Sequence, residues 1–81
     1  MSEENIRPSH YKAEGQKYEC IDIIEDLCKY SKNDRFTDYN RFQAFKYIWR
    51  AGNKDCIIKD LTKARTFIDF AIQYEESKIN D

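Results

Sequence analysis

The sequence predicts a small all-α domain, and three observations carry that expectation. Apolar residues recur at steps of three and four from residue 18 to residue 74. No stretch shows the strict alternation of a half-buried strand. The two glycines and the single proline of the 81 residues stand at the edges of the periodic segments. A chain of this length forms one domain with a modest core.

Residues 1–17 are polar, hold Pro8 and Gly15, and read as an irregular N-terminal arm ahead of a helical domain over residues 18–77. His10 and Tyr11 are two ring side chains inside that arm, and each needs a surface to rest on. The first helix is expected over Tyr18–Tyr30, with Cys20, Ile23, Ile24, Leu27 and Cys28 on its apolar side. Glu19, Asp22, Glu25 and Asp26 form the opposite face. Ser31 to Asp34 read as a loop. The second helix is expected to start near Thr37–Asp38, where a hydroxyl or carboxylate can cap free amides, and to bury Phe42, Phe45, Ile48 and Trp49. Gly52 sits where a helix ends in a left-handed residue. Asp55 is the expected N-cap of a third, long helix. Its seam is expected to run through Ile57, Leu61, Ala64, Ile68 and Ala71, widened by Phe67, Phe70 and Tyr74. That stripe is broader than one short neighbour covers, so the chain is expected to self-associate.

Composition removes several function classes. Fourteen Lys and Arg nearly cancel fifteen Asp and Glu, for a formal net charge of −1, which argues against non-specific or sequence-specific binding to duplex DNA. No run approaches the roughly 18 apolar residues of a membrane span. No signal-like apolar stretch follows Met1-Ser2-Glu3-Glu4, and the cysteines Cys20, Cys28 and Cys56 are odd in number without a CxxC pair. These features read as a reduced, cytoplasmic protein with thiols as small core residues. A zinc site would need a fourth ligand such as His10, and no ligand spacing supports it.

The most informative string is Phe45-Lys46-Tyr47-Ile48-Trp49-Arg50-Ala51-Gly52-Asn53-Lys54. Lys46 and Arg50 share one helical face, Lys54 follows the glycine stop, and Lys59 and Lys63 form a further pair at i,i+4. Cations interleaved with aromatic rings suit a ligand with both phosphate and base. Lys46, Arg50 and Lys54 are therefore candidate phosphate contacts, and Tyr47 and Tyr11 candidate stacking residues. The alternative is that the cations solvate a helix edge or pair with Asp60 and Glu25. Trp49 is expected in the core or at a subunit contact. There is no GxxxxGK[ST] phosphate cradle. Asp22 and Asp26 stand one turn apart with Glu25 between them, a set able to share Mg²⁺ if the three carboxylates converge. His10 is the one side chain that titrates near neutrality unperturbed, suited to acid–base work, a phosphate contact or docking of the arm.

Taken in order, His10-Tyr11, Glu19-Cys20-Ile21-Asp22, the string Lys46 to Lys54, and Asp60-Leu61-x-Lys63-Ala64 resemble small bacteriophage proteins of unknown function labelled nucleotide-kinase-like. These are related to a domain of the nucleotide kinase of a T-odd coliphage, an enzyme without a P-loop. The resemblance covers roughly residues 9–75. Members commonly carry Gly-Asn where this chain has Phe42 and Gln43. The resemblance implies a phage-encoded, helical, oligomeric protein in the cytoplasm of an infected bacterium. It also implies a nucleotide or nucleotide-derived ligand held by His10, Tyr11, Lys46, Tyr47, Arg50 and Lys54. The role that follows is action on the nucleotide pool or on nucleotide-based host signals, including evasion of host defence. The competing expectations are a Mg²⁺-dependent nucleotide kinase or pyrophosphohydrolase using Asp22, Glu25 and Asp26, and an inhibitor that binds a host protein.

Overall fold

A computed structural model describes residues 15–53 and 56–80, so His10, Tyr11, Lys54, Asp55 and most of the expected arm lie outside the described residues. Three helices follow in order: α1 (Cys20–Tyr30), α2 (Arg35–Arg50) and α3 (Ile57–Asn80). The described residues form no strand. The all-α expectation holds.

Helices α2 and α3 form an antiparallel hairpin. Asp34, before α2, meets Lys78 near the end of α3, whereas Arg50 at the end of α2 meets Asp60 in the first turn of α3. The reversal is made by Gly52 at φ +86°, the left-handed conformation that glycine adopts without a Cβ penalty. The Asn53 amide donates to the Arg50 carbonyl at 2.8 Å and closes the C-terminal turn. Helix α1 packs mainly on α2, through the buried Cys20 and the half-buried Ile23, Ile24 and Leu27.

Helix boundaries differ from the sequence expectation for physical reasons. Helix α2 begins two residues before Thr37. Its N-cap Asp34 makes no side-chain cap, because that carboxylate instead accepts from Tyr74 Oη at 3.0 Å and Lys78 Nζ at 2.8 Å. Thr37, the expected cap, faces α3 and donates its hydroxyl to Glu75. Asp38 accepts from Asn33 Nδ2 at 3.2 Å and Arg41 Nη1 at 2.8 Å. The first turn of α3 closes on the Cys56 carbonyl, and the helix runs three residues past Ser77.

The hairpin interior corrects most of both expected apolar seams and keeps Ala64 of the expected α3 seam. The buried residues of α2 are Thr37, Asn40, Ala44 and Arg50, and those of α3 are Asp60 and Ala64. Ile48, Ile57, Leu61 and Ile68 are exposed. Small residues allow two helices to approach closely, and the polar groups on that face find partners. Asn40 Nδ2, for example, donates back to the Phe36 carbonyl at 2.8 Å. The aromatic rings flank this contact. Phe36 lies 5.1 Å from Tyr74, and Tyr39 lies 6.3 Å from Phe67, both centroid to centroid.

Candidate functional site

The centre of the candidate site is the Tyr47 ring, on the last turns of α2 where that helix faces the first turns of α3. Phe67 of α3 stacks on it with centroids 5.8 Å apart and planes 6° apart. Phe70 meets Phe67 edge-on at 6.2 Å. Three cations gather around the same ring: Arg50 at 4.6 Å, Lys46 at 4.7 Å and Lys63 at 5.1 Å from its centroid. Lys46 and Arg50 come from α2 at i,i+4, and Lys63 comes across the hairpin from α3. The negative face of an aromatic ring attracts each of them.

Arg50 and the lysines differ in burial. Arg50 is only 6% exposed and Asp60 is fully buried. Arg50 donates Nε and Nη2 to Asp60 Oδ1 at 3.4 and 3.3 Å. Both contacts fall on one oxygen and are longer than the ~2.7–2.9 Å of a good charge-assisted bond. Asp60 Oδ2 is buried without a hydrogen-bond partner among the described residues. Arg50 is therefore not part of a solvated helix edge; it meets Asp60, the partner the sequence offered as the alternative. Lys46 and Lys63 are only half-buried, so their ammonium groups are the more accessible charges. Lys46 also reaches toward α1. Burial pushes the Cys20 thiol up to about 11, and the Lys46 charge partly offsets that rise.

The cluster therefore joins Lys46, Tyr47 and Arg50 from the sequence-derived set and adds Lys63 and Phe67. His10, Tyr11 and Lys54 lie outside the described residues. Because Phe67 occupies one face of Tyr47, a stacking base has only the other face. Asp22, Glu25 and Asp26 do line one surface hollow of about 240 Å³. Lys29 lines it too. No three His, Cys, Asp or Glu side chains among the described residues come together as a metal-binding group, which weighs against the expected Mg²⁺ site. The cysteines follow the core expectation only at Cys20; Cys28 and Cys56 are exposed. Trp49 is half-buried and lies 5.7 Å from Phe45.

A family model described as a protein of unknown function, DUF3310, matches residues 6–69. The chain belongs to this family. The match takes in α1, α2, the turn and α3 as far as Asp69, and so includes every residue of the Tyr47 cluster. No curated protein and no solved structure matches this DUF3310 chain. No described helix is long and apolar enough to cross a membrane.

Sequence reasoning missed Phe67 and undervalued Asp60. Both were legible in principle, since Asp60, Ala64, Phe67 and Ala71 recur at steps of four and three on one face of α3. Small and charged residues on that face hid it behind the more hydrophobic flank.

Proposed function

We propose that this DUF3310 chain is a nucleotide-binding protein whose ligand docks over the Lys46–Tyr47–Lys63 face. The observation that carries the reading is the gathering of three cations around one aromatic ring, two of them on side chains that solvent reaches. Asp60 offsets them in part, through its pair with Arg50. Lys46 and Lys63 are then the phosphate contacts, and the base stacks on the side of Tyr47 that Phe67 does not cover, replacing cation contacts to the ring. Arg50, anchored by Asp60, holds the ring in place and adds its charge to the local field. His10, Tyr11 and Lys54 complete the ligand set that the resemblance implies. The resemblance also supports a phage-encoded protein that binds nucleotides or nucleotide-derived host signals in the bacterial cytoplasm, and so counters host defence. The aliphatic side chains left exposed on the hairpin support a homo-oligomer.

Equilibrium dialysis with a nucleoside monophosphate and with the matching nucleoside tests the site. The phosphate-bearing ligand binds more tightly, and Lys46→Ala and Lys63→Ala each weaken it by ~1.5 kcal/mol, about tenfold, the scale of one charge-assisted hydrogen bond. Equal binding of the two ligands, or unchanged binding in a folded Lys63→Ala protein, overturns this assignment.

A further inference from the structure

One flank of the α2–α3 hairpin is a row of aromatic rings that extends beyond the Tyr47 cluster. Tyr39 meets the Phe67 ring edge-on at 6.3 Å, Phe70 meets it edge-on at 6.2 Å, and Phe36 lies tilted at 5.1 Å from Tyr74. The contacts that cross between the helices place these rings on the same side of the hairpin as Tyr47. Phe36, Tyr39 and Phe70 are 48%, 54% and 46% exposed, and none of the three has a stacked ring partner among the described residues. From Phe36 to Tyr47 the row runs for ~16 Å, at ~1.5 Å per residue. One stacked base of a nucleic-acid strand takes up only ~3.4 Å. A single nucleotide on Tyr47 therefore leaves most of the row uncovered.

The charges on this flank identify its occupant. At 3.6 residues per turn, Phe36, Tyr39, Gln43, Lys46, Tyr47 and Arg50 fall within about a 100° arc of α2. Lys59, Lys63, Phe67, Phe70 and Tyr74 fall within about an 80° arc of α3. Neither arc contains an Asp or a Glu. Asp38 of α2 stands on another face and accepts from Arg41. Asp69 and Glu75 of α3 lie about 80° outside the arc, one on each side. Asp60 borders the arc but is buried against Arg50. The far end of the row is closed by Asp34, which accepts from Tyr74 and Lys78. Exposed ring faces on a flank with lysines and no carboxylate suit a polyanion whose bases are free to stack, which is a single strand of nucleic acid. A duplex keeps its bases stacked on one another and offers these rings no partner.

We infer that the ligand of this flank is a short single strand of DNA or RNA, of which one nucleotide occupies the Tyr47 end. Lys46, Lys59 and Lys63 meet its phosphates, and the bases beyond the first stack on Tyr39, Phe70 and Phe36. The inference rests on the nucleotide site proposed above and extends it along the hairpin.

Isothermal titration of the full chain compares each of the four nucleoside 5′-monophosphates with the matching 5′-phosphorylated trinucleotide. A deoxyribose and a ribose series separate DNA from RNA. The best trinucleotide binds at least about tenfold more tightly than its monophosphate, the scale of one further base stacked on an aromatic ring. Phe36→Ala and Tyr39→Ala each weaken the trinucleotide about tenfold and leave the monophosphate unchanged. Tyr39→Leu keeps an apolar side chain without a ring face and behaves as Tyr39→Ala does, and circular dichroism confirms that each variant is folded. A trinucleotide that binds no more tightly than its monophosphate, or full trinucleotide affinity in folded Tyr39→Ala and Tyr39→Leu proteins, overturns this inference and leaves the nucleotide site standing. Ring variants that change the sedimenting mass without moving the trinucleotide affinity show that a second copy covers the row, which overturns it as well. Binding of neither ligand overturns the nucleotide site and this inference together.

Discussion

Replacing Arg50 by alanine removes the cation that pairs with the fully buried Asp60 carboxylate among the described residues. The buried Asp60 would lose the Arg50 contacts to its Oδ1, while its Oδ2 has no partner among the described residues to begin with. Breaking a buried ion pair on one side costs ~3–5 kcal/mol. Domains of this size hold ~0.05–0.15 kcal/mol per residue, or roughly 4–12 kcal/mol in all. Arg50→Ala should therefore remove a large part of the stability, read as a lower urea midpoint with helicity followed at 222 nm. Asp60→Asn keeps the shape, removes the charge and leaves Arg50 unpaired at this contact, so it should also destabilise. Because the two contacts are long and share one oxygen, the pair itself is worth little net. Arg50→Met combined with Asp60→Leu should recover most of the loss in either single change. A cost below ~1 kcal/mol for Arg50→Ala, or a double variant as unstable as the singles summed, would refute the buried-pair account.

Further expectations follow from other parts of the fold. Cys28 and Cys56 should react with a thiol reagent in the native state at rates near those of the unfolded chain, while Cys20 should react slowly. Burial keeps the Cys20 thiol protonated to about pH 11, so protection of all three, or of none, would contradict this structure. Gly52→Ala should cost ~1–2 kcal/mol in a urea titration, from the left-handed backbone rather than from a clash, since an added Cβ would sit 3.9 Å from Ile57. The exposed cluster of Asp34, Glu75 and Lys78 gives a pH dependence with a defined sign. Hydrogen bonds from Lys78 and Tyr74 hold Asp34 below its ordinary value, and those from Thr37 and Lys78 do the same for Glu75. Folded-state values below the unfolded ones mean that this contribution is present at neutral pH and is lost as pH falls through the carboxylate range. A Lys78→Met variant should therefore melt slightly below the wild type at pH 7 and converge with it near pH 2. A gap that persists in acid would show that Lys78 acts through packing.

The helices, the glycine turn and the polarity of the loops were legible in the sequence because they depend on local periodicity and backbone preference. Gly52 could be assigned from its position alone. The interior of the hairpin was not legible in the same way. Hydrophobicity points to Ile57, Leu61, Ala64, Ile68 and Ala71 as the seam of α3, yet of these only Ala64 is buried, beside Asp60, while the three larger side chains are exposed. Close approach needed small side chains, and the choice between a small-residue face and an aliphatic face depends on tertiary partners that one sequence does not display. The same holds for Arg50. Its spacing from Lys46 marked a cationic face, but only the fold brings Asp60 underneath it and Lys63 beside the ring. As a result, Lys46 and Lys63 are cleaner probes of ligand binding than Arg50, whose removal also perturbs the hairpin.

The central claim is that the Tyr47 cluster binds a nucleotide without needing a metal. A thermal-shift series with nucleoside monophosphates, triphosphates and cyclic nucleotides, each with Mg²⁺ and with a chelator, tests it most directly. Binding to the native state at a concentration 100-fold above the dissociation constant adds ~2.7 kcal/mol of apparent stability. The account predicts a clear rise in melting temperature for at least one nucleotide, retained in chelator and lost in Lys46→Ala/Lys63→Ala. No shift with any nucleotide at millimolar concentration, or a shift of equal size in that double variant, would contradict it.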